Sequence, residues 1–253
     1  MRLQLFVLAS ILSMLLLAGV SSATYTITNI NTTVYINANA SAHVTEMITF
    51  VMNNDSISNY NLDRSGVNLT LSNWEYIVGP DVVPHIINQK MGIYNFNLLP
   101  GPVVTTYYGG VATIYMNYYV KNVTSINQTG PRTYLYKFNS SVLNFQHGSG
   151  GVVLGPHTRL NIVIPSGSSI LSIYPLPDVP SNLVLNSTNT TEVSWYDGEP
   201  LYNFKLIYSS KESLISEVSN FFMDIYNALG VFAYLIIIFA VIIFILYTYY
   251  KVH

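Results

Sequence analysis

Val231 to Tyr250 reads VFAYLIIIFAVIIFILYTYY, twenty residues without a charge. A helix rises 1.5 Å per residue, so about 20 apolar residues match the ~30 Å hydrocarbon core of a bilayer. The run is therefore expected to be a transmembrane helix with the lipid bilayer as its partner. Tyr247, Tyr249 and Tyr250 gather at one end, as an aromatic interface belt does, and Lys251 follows them. Glu212, Glu217 and Asp224 lie on the other flank, so the positive-inside rule places the tail, 251–253, in the cytoplasm. Ahead of the run, Leu214, Ile215, Val218, Phe221, Phe222, Ile225 and Leu229 recur at intervals of three and four. Glu217, Asn220, Asp224 and Asn227 fall opposite them. That spacing predicts an amphipathic juxtamembrane helix over 211–230, with Gly230 as a hinge into the anchor.

The other end carries an export signal. Arg2 gives a short positive start, Leu5 to Leu17 is apolar, and Val20-Ser21-Ser22-Ala23 places small residues before Thr24. Residues 1–23 read as a signal peptide, the apolar run being short for a membrane span, with an uncleaved N-terminal anchor as the alternative. With both ends facing a membrane, the remaining composition becomes informative. Only 9% of the 253 residues are charged and none is cysteine, against about 25% charge in ordinary soluble domains. Zinc ribbons, thiol redox motifs and cysteine nucleophiles are excluded. A formal net charge of −2 with no basic stripe argues against nucleic acid. No motif calls for a metal or a cofactor.

Between the ends, residues 24–210 read as β. Tyr25 to Ile30, Thr33 to Asn37 and Ala42 to Met52 are rich in Val, Ile, Thr, Tyr and Phe. Val44, Glu46, Ile48 and Phe50 share one face of the third segment and Thr45, Met47, Thr49 and Val51 the other. Neither face is wholly polar, so this strand is expected to be central. Further strands are expected at Asn68 to Ser72, Trp74 to Val78, Ile93 to Leu98, Val111 to Val120 and Thr133 to Phe138. Others are expected at Leu160 to Ile164, Ile170 to Tyr174, Leu183 to Leu185, Glu192 to Trp195 and Phe204 to Tyr208. Gly-Pro breaks separate them, and no helical period is visible before Lys211. The fold class is mainly β: a β-sandwich ectodomain, then the amphipathic helix and one C-terminal transmembrane helix. His147-Gly148-Ser149-Gly150-Gly151 is a linker or a surface loop, and one continuous unit is favoured over a subdivision there.

The stretch Val34 to Phe50, VYINANASAHVTEMITF, resembles the opening of predicted archaeal cell-surface membrane proteins. LNIVIPSGSSILSIYPLP, from Leu160 to Pro177, and the pair Trp195 and Tyr208 are similar in style. In those proteins a hairpin with a V-T-E core begins a β ectodomain followed by membrane helices. The resemblance implies location and architecture, and no reaction. Where those hairpins turn on glycine, this chain has Ala40-Ser41.

Nine N-x-[ST] sequons stand at Asn31, Asn39, Asn54, Asn68, Asn122, Asn127, Asn139, Asn186 and Asn189. Composition alone gives roughly four or five, and several of the nine fall in expected turns, where glycosylation of an exported chain takes place. Tyr107-Tyr108, Tyr118-Tyr119 and Trp195-Tyr196 supply aromatic area with polar tips, suited to a binding surface or to a sandwich core. Gln146-His147-Gly148-Ser149-Gly150 lacks the first glycine and the helix of a nucleophile elbow. His147 and His157 with Asp178 or Asp197 make a weak metal set. His43 and Glu46 fall on opposite faces of one strand. Glu46, Glu75, Asp81, Glu192, Asp197 and Glu199 are the acids from which a glycosidase pair would come. Together these features point to a structural or binding protein of the cell envelope, partnered by another envelope or membrane protein. A surface hydrolase acting on glycans or peptides is the alternative.

Overall fold

The structure, a computed structural model, describes residues 24–66, 70–211, 214–230 and, beyond these, 232, 238, 239, 242, 243, 247 and 248. The expected signal peptide, Asn68, most of the 231–250 span and the tail lie outside the described residues.

The fold is mainly β, with thirteen strands in three sheets among the described residues. β1 (Tyr25–Ile36) and β2 (Ala42–Met52) form a hairpin paired over nearly their whole length. The sequence suggested two strands before Asn37; the structure has one, with a register shift between Ile27 and Asn29 absorbing the polar break. Asn39 closes the turn, its Oδ1 accepting from the Ser41 backbone N–H (3.1 Å) and hydroxyl (2.7 Å). Ala40 holds φ 65° there, the left-handed conformation a glycine adopts at little cost.

β3 (Ile93–Pro100), β4 (Val104–Thr106) and β5 (Gly109–Val120) complete one flank of a seven-stranded sheet, and β10 (Thr158–Val163) and β12 (Glu192–Trp195) the other. The order is β12-β10-β1-β2-β5-β3, with β4 also on β5, so β2 is indeed interior. A four-stranded sheet, β11-β13-β7-β6, is built from β6 (Thr124–Gly130), β7 (Thr133–Phe138), β11 (Ser169–Tyr174) and β13 (Lys205–Lys211). The inner faces of both sheets enter one buried cluster. Phe204 stitches them together, its ring 5.1 Å from Trp195 of β12 and 5.5 Å from Phe138 of β7.

Several expectations are corrected. Residues 54–78 hold two helices where the sequence was read as strand or loop: α1 (Asn54–Ser65) and α2 (Leu71–Val78). Asn53 caps α1, its Oδ1 accepting from Ser56 N–H at 3.0 Å. Asn73 Oδ1 accepts from Thr70 N–H (2.9 Å) and hydroxyl (2.6 Å) at the start of α2. Phe50, Tyr60 and Trp74 then form an edge-to-face chain at 5.6 and 5.5 Å that fastens both helices to the sheet. Leu183 to Leu185 is irregular chain entering a turn at Leu185, not strand. The stretch 147–151 is neither linker nor loop: β8 (Gln146–Gly148) and β9 (Gly151–Val153) make a hairpin. Its glycines leave room for Tyr202: a Cβ at Gly148 or Gly150 would stand 2.9 and 2.7 Å from that side chain, which would have to shift. Lys211 ends β13, so the amphipathic helix, α3, spans Leu214–Leu229. Among the described residues no helix is long and apolar enough to cross a membrane.

Candidate functional site

Glu46 follows from strand period alone. With Val44, Ile48 and Phe50 it faces the core, and it is 1% exposed. A carboxylate in such a place must be partnered. Three donors converge on it. The His85 backbone N–H reaches Oε1 at 2.8 Å, His85 Nδ1 lies 2.6 Å from Oε2, and the Tyr118 hydroxyl donates to Oε1. Tyr118 in turn accepts from Ile86 N–H at 3.2 Å. His85 is 5% exposed and stacks on Phe145, ring centroids 5.0 Å apart. Burial comes first, then the Glu46 charge and hydrogen bond, in holding the Tyr118 phenol well above its ordinary 10.0.

This network ends at a pocket of about 240 Å³. Asp81, His85, Asn144, Gln146 and Thr158 give it polar walls, and Ile30, Val83 and Phe145 apolar ones. Asn144 is spent on the Pro84 carbonyl (2.9 Å) and Thr158 on that of Pro156 (3.3 Å). Chemically this is an imidazole whose tautomer and plane are set by a buried carboxylate, the arrangement that makes a histidine a defined acceptor. Sequence reasoning counted Glu46 among the acids and passed over His85, which lies in a loop 39 residues away. A carboxylate on an otherwise apolar strand face was the available signal that a partner had to exist.

The aromatic residues separate into two classes. Tyr118 and Trp195 are core residues, which corrects their place on a binding surface; Trp195 donates its Nε1–H to the Pro175 carbonyl at 3.2 Å. Tyr107 and Tyr108 are 90% and 87% exposed at the β4–β5 turn, their rings 4.9 Å apart. Gly109 makes that turn possible: it holds φ 152°, and a Cβ there would stand 2.0 Å from the Met52 carbonyl oxygen. Tyr196 is half-buried under Arg159, which sits 4.8 Å over its ring. Tyr119 belongs to a row of rings across four strands on the outer face. Tyr35, His43, Tyr119 and Tyr94 follow one another at 6.0, 4.8 and 5.6 Å, with Lys121 Nζ 5.2 Å over the last.

Seven sequon asparagines, Asn39, Asn54, Asn122, Asn127, Asn139, Asn186 and Asn189, are exposed. Asn39, Asn122 and Asn139 line one groove of about 1010 Å³ with Lys137 and Lys205. Asn31 differs: it is mid-strand in β1, its Oδ1 accepting from Asn161 Nδ2 at 2.7 Å. His157 pairs loosely with Asp197 (3.8 Å), Asp178 accepts from Tyr196 N–H (2.9 Å), and His147 is exposed on β8. Among the described residues no group of three or more His, Cys, Asp or Glu is placed to hold a metal ion. Ser149 lies in the β8–β9 turn, and the strand that follows it is not the helix of a nucleophile elbow.

No protein-family model matches the chain, and no match was found among curated proteins.

Proposed function

We propose that this chain is an exported protein of the cell envelope, held by 231–250 as a single membrane span, with a β-sandwich outside the cell in a structural or binding role. The reading rests on one observation. From α3 onward, Val218, Phe221, Phe222, Met223, Tyr226, Phe232, Ile238, Phe239, Ile242, Ile243 and Tyr247 are exposed. Apolar side chains in such number call for a cover of lipid or protein. Lipid covers the segment beyond Gly230, and another envelope or membrane protein covers α3. The sandwich reading is supported by the shared core of the two larger sheets, and glycosylation by the exposure of seven sequons. The tail is cytoplasmic, and nucleic acid is not a partner.

Protease treatment of intact cells, with mass spectrometry of the released fragment and alkaline extraction of what remains, tests this. The reading expects a fragment beginning near Thr24 with added mass on exposed sequons, and a C-terminal remnant that stays with the membrane. A protected β unit, or a chain that washes off at high pH, overturns it.

A further inference from the structure

The Glu46–His85 network has a free end. With Nδ1 committed to Glu46, the one remaining polar atom of the ring is Nε2, which takes no hydrogen bond among the described residues, and His85 lines the 240 Å³ pocket. In the neutral ring the proton sits on Nδ1 against the carboxylate, so Nε2 is an acceptor. Asp81, half-buried in the same wall, has no hydrogen bond or ion pair among the described residues. Gln146 adds an amide, its side chain held beside Gly155, where a Cβ would come within 2.9 Å of it. Val83 and Phe145 supply apolar wall.

From this we infer that the pocket binds a single hydroxyl-bearing ring, of the size and chemistry of one saccharide unit. Two acceptors lining one small pocket, Nε2 and the Asp81 carboxylate, call for a ligand that presents more than one donor, as vicinal hydroxyls do. The apolar wall calls for a C–H face on the same molecule. A phosphate or carboxylate would meet Asp81 as a like charge. A transition metal would lack protein ligands, because His85 and Asp81 alone fall short of the usual three or four. The volume lies below the ~300–1,000 Å³ of pockets for drug-sized ligands, so one ring fits and a chain of rings extends into solvent. The site is independent of how the chain is anchored, and either reading stands if the other fails.

The test uses the full chain in a zwitterionic detergent without a sugar headgroup. Mannose, glucose, galactose and N-acetylglucosamine are titrated singly, with methylamine as the non-sugar donor, and imidazole nitrogen resonances are followed by NMR. His85→Gln identifies the His85 signal among the five histidines. At least one sugar is expected to move the Nε2 resonance with roughly millimolar affinity, as so few ligand atoms allow. Asp81→Asn is expected to weaken that sugar at least tenfold without changing the thermal midpoint, since the Asp81 side chain makes no hydrogen bond or ion pair among the described residues. Asp81→Asn binding as well as the parent overturns the proposal. So does a His85 signal that no sugar moves, or one that methylamine alone moves.

Discussion

The two faces of β2 and β5 carry the same kinds of side chain to different ends. On the inner face Glu46 and Tyr118 meet His85 in a buried network joined by directed hydrogen bonds. On the outer face His43 and Tyr119, their near neighbours in sequence, meet Tyr35 and Tyr94 in a row of rings open to water. Histidine and tyrosine appear in both. What differs is the medium: without water, each polar atom must be matched by protein, whereas an exposed ring need only find another ring beside it. The inner set is therefore all-or-none, and the outer set is additive.

Removing Glu46 is the hardest blow to that contrast. Glu46→Ala leaves the His85 ring and the Tyr118 hydroxyl without their acceptor, and a loss of about 3–5 kcal/mol in denaturant unfolding is expected, the usual result of breaking a buried pair. Tyr118→Phe takes away one of three donors and strands the Ile86 N–H, for about 1–3 kcal/mol by the same measurement. His43→Ala or Tyr119→Ala on the outer face is expected to cost roughly 0.2–1 kcal/mol per cross-strand pair lost. If either outer variant matches Glu46→Ala, the two faces are not energetically distinct. At neutral pH the smallest difference is in protonation, which shows only in base. Burial holds Tyr60 up to about 12, and Tyr118 is also raised, so the folded state keeps protons that the unfolded chain gives up near 10.0. Stability is then fully present below pH 10 and is lost as pH rises toward 12 and beyond. Unfolding midpoints stepped upward from about pH 8 check this, and Tyr118→Phe should flatten the slope.

The strands were readable where alternation and β-branched residues coincide, as in Ala42–Met52 and Thr133–Phe138. The two early helices were not. Asn54–Ser65 is polar nearly throughout, with Tyr60 as its one large buried residue. Leu71–Val78 contains Trp, Tyr, Ile and Val, whose own preference is strand. Packing of Tyr60 and Trp74 onto Phe50 overrides both signals, and only the caps at Asn53 and Thr70 marked the helices locally. The edge strand Thr124–Gly130 was missed for a related reason: TSINQTG buries Thr124 alone, so it pairs through its backbone with little side-chain pattern. For the site, the face of Glu46 was legible and its partner was not, because no local rule ties a strand residue to a loop 39 positions on.

One pairing carries a consequence in time. β1 runs parallel to β10, and Asn161 of β10 reaches back to Thr33, 128 residues earlier in the chain. A ribosome adding ~5–20 residues per second needs on the order of ten seconds to supply that partner. Through that interval the β1–β2 hairpin waits with one row of backbone donors and acceptors unmet, as a template for any extended strand nearby. The oldest edge is thus closed by a strand made more than a hundred residues later, and a nascent chain cut before residue 158 would keep that edge open.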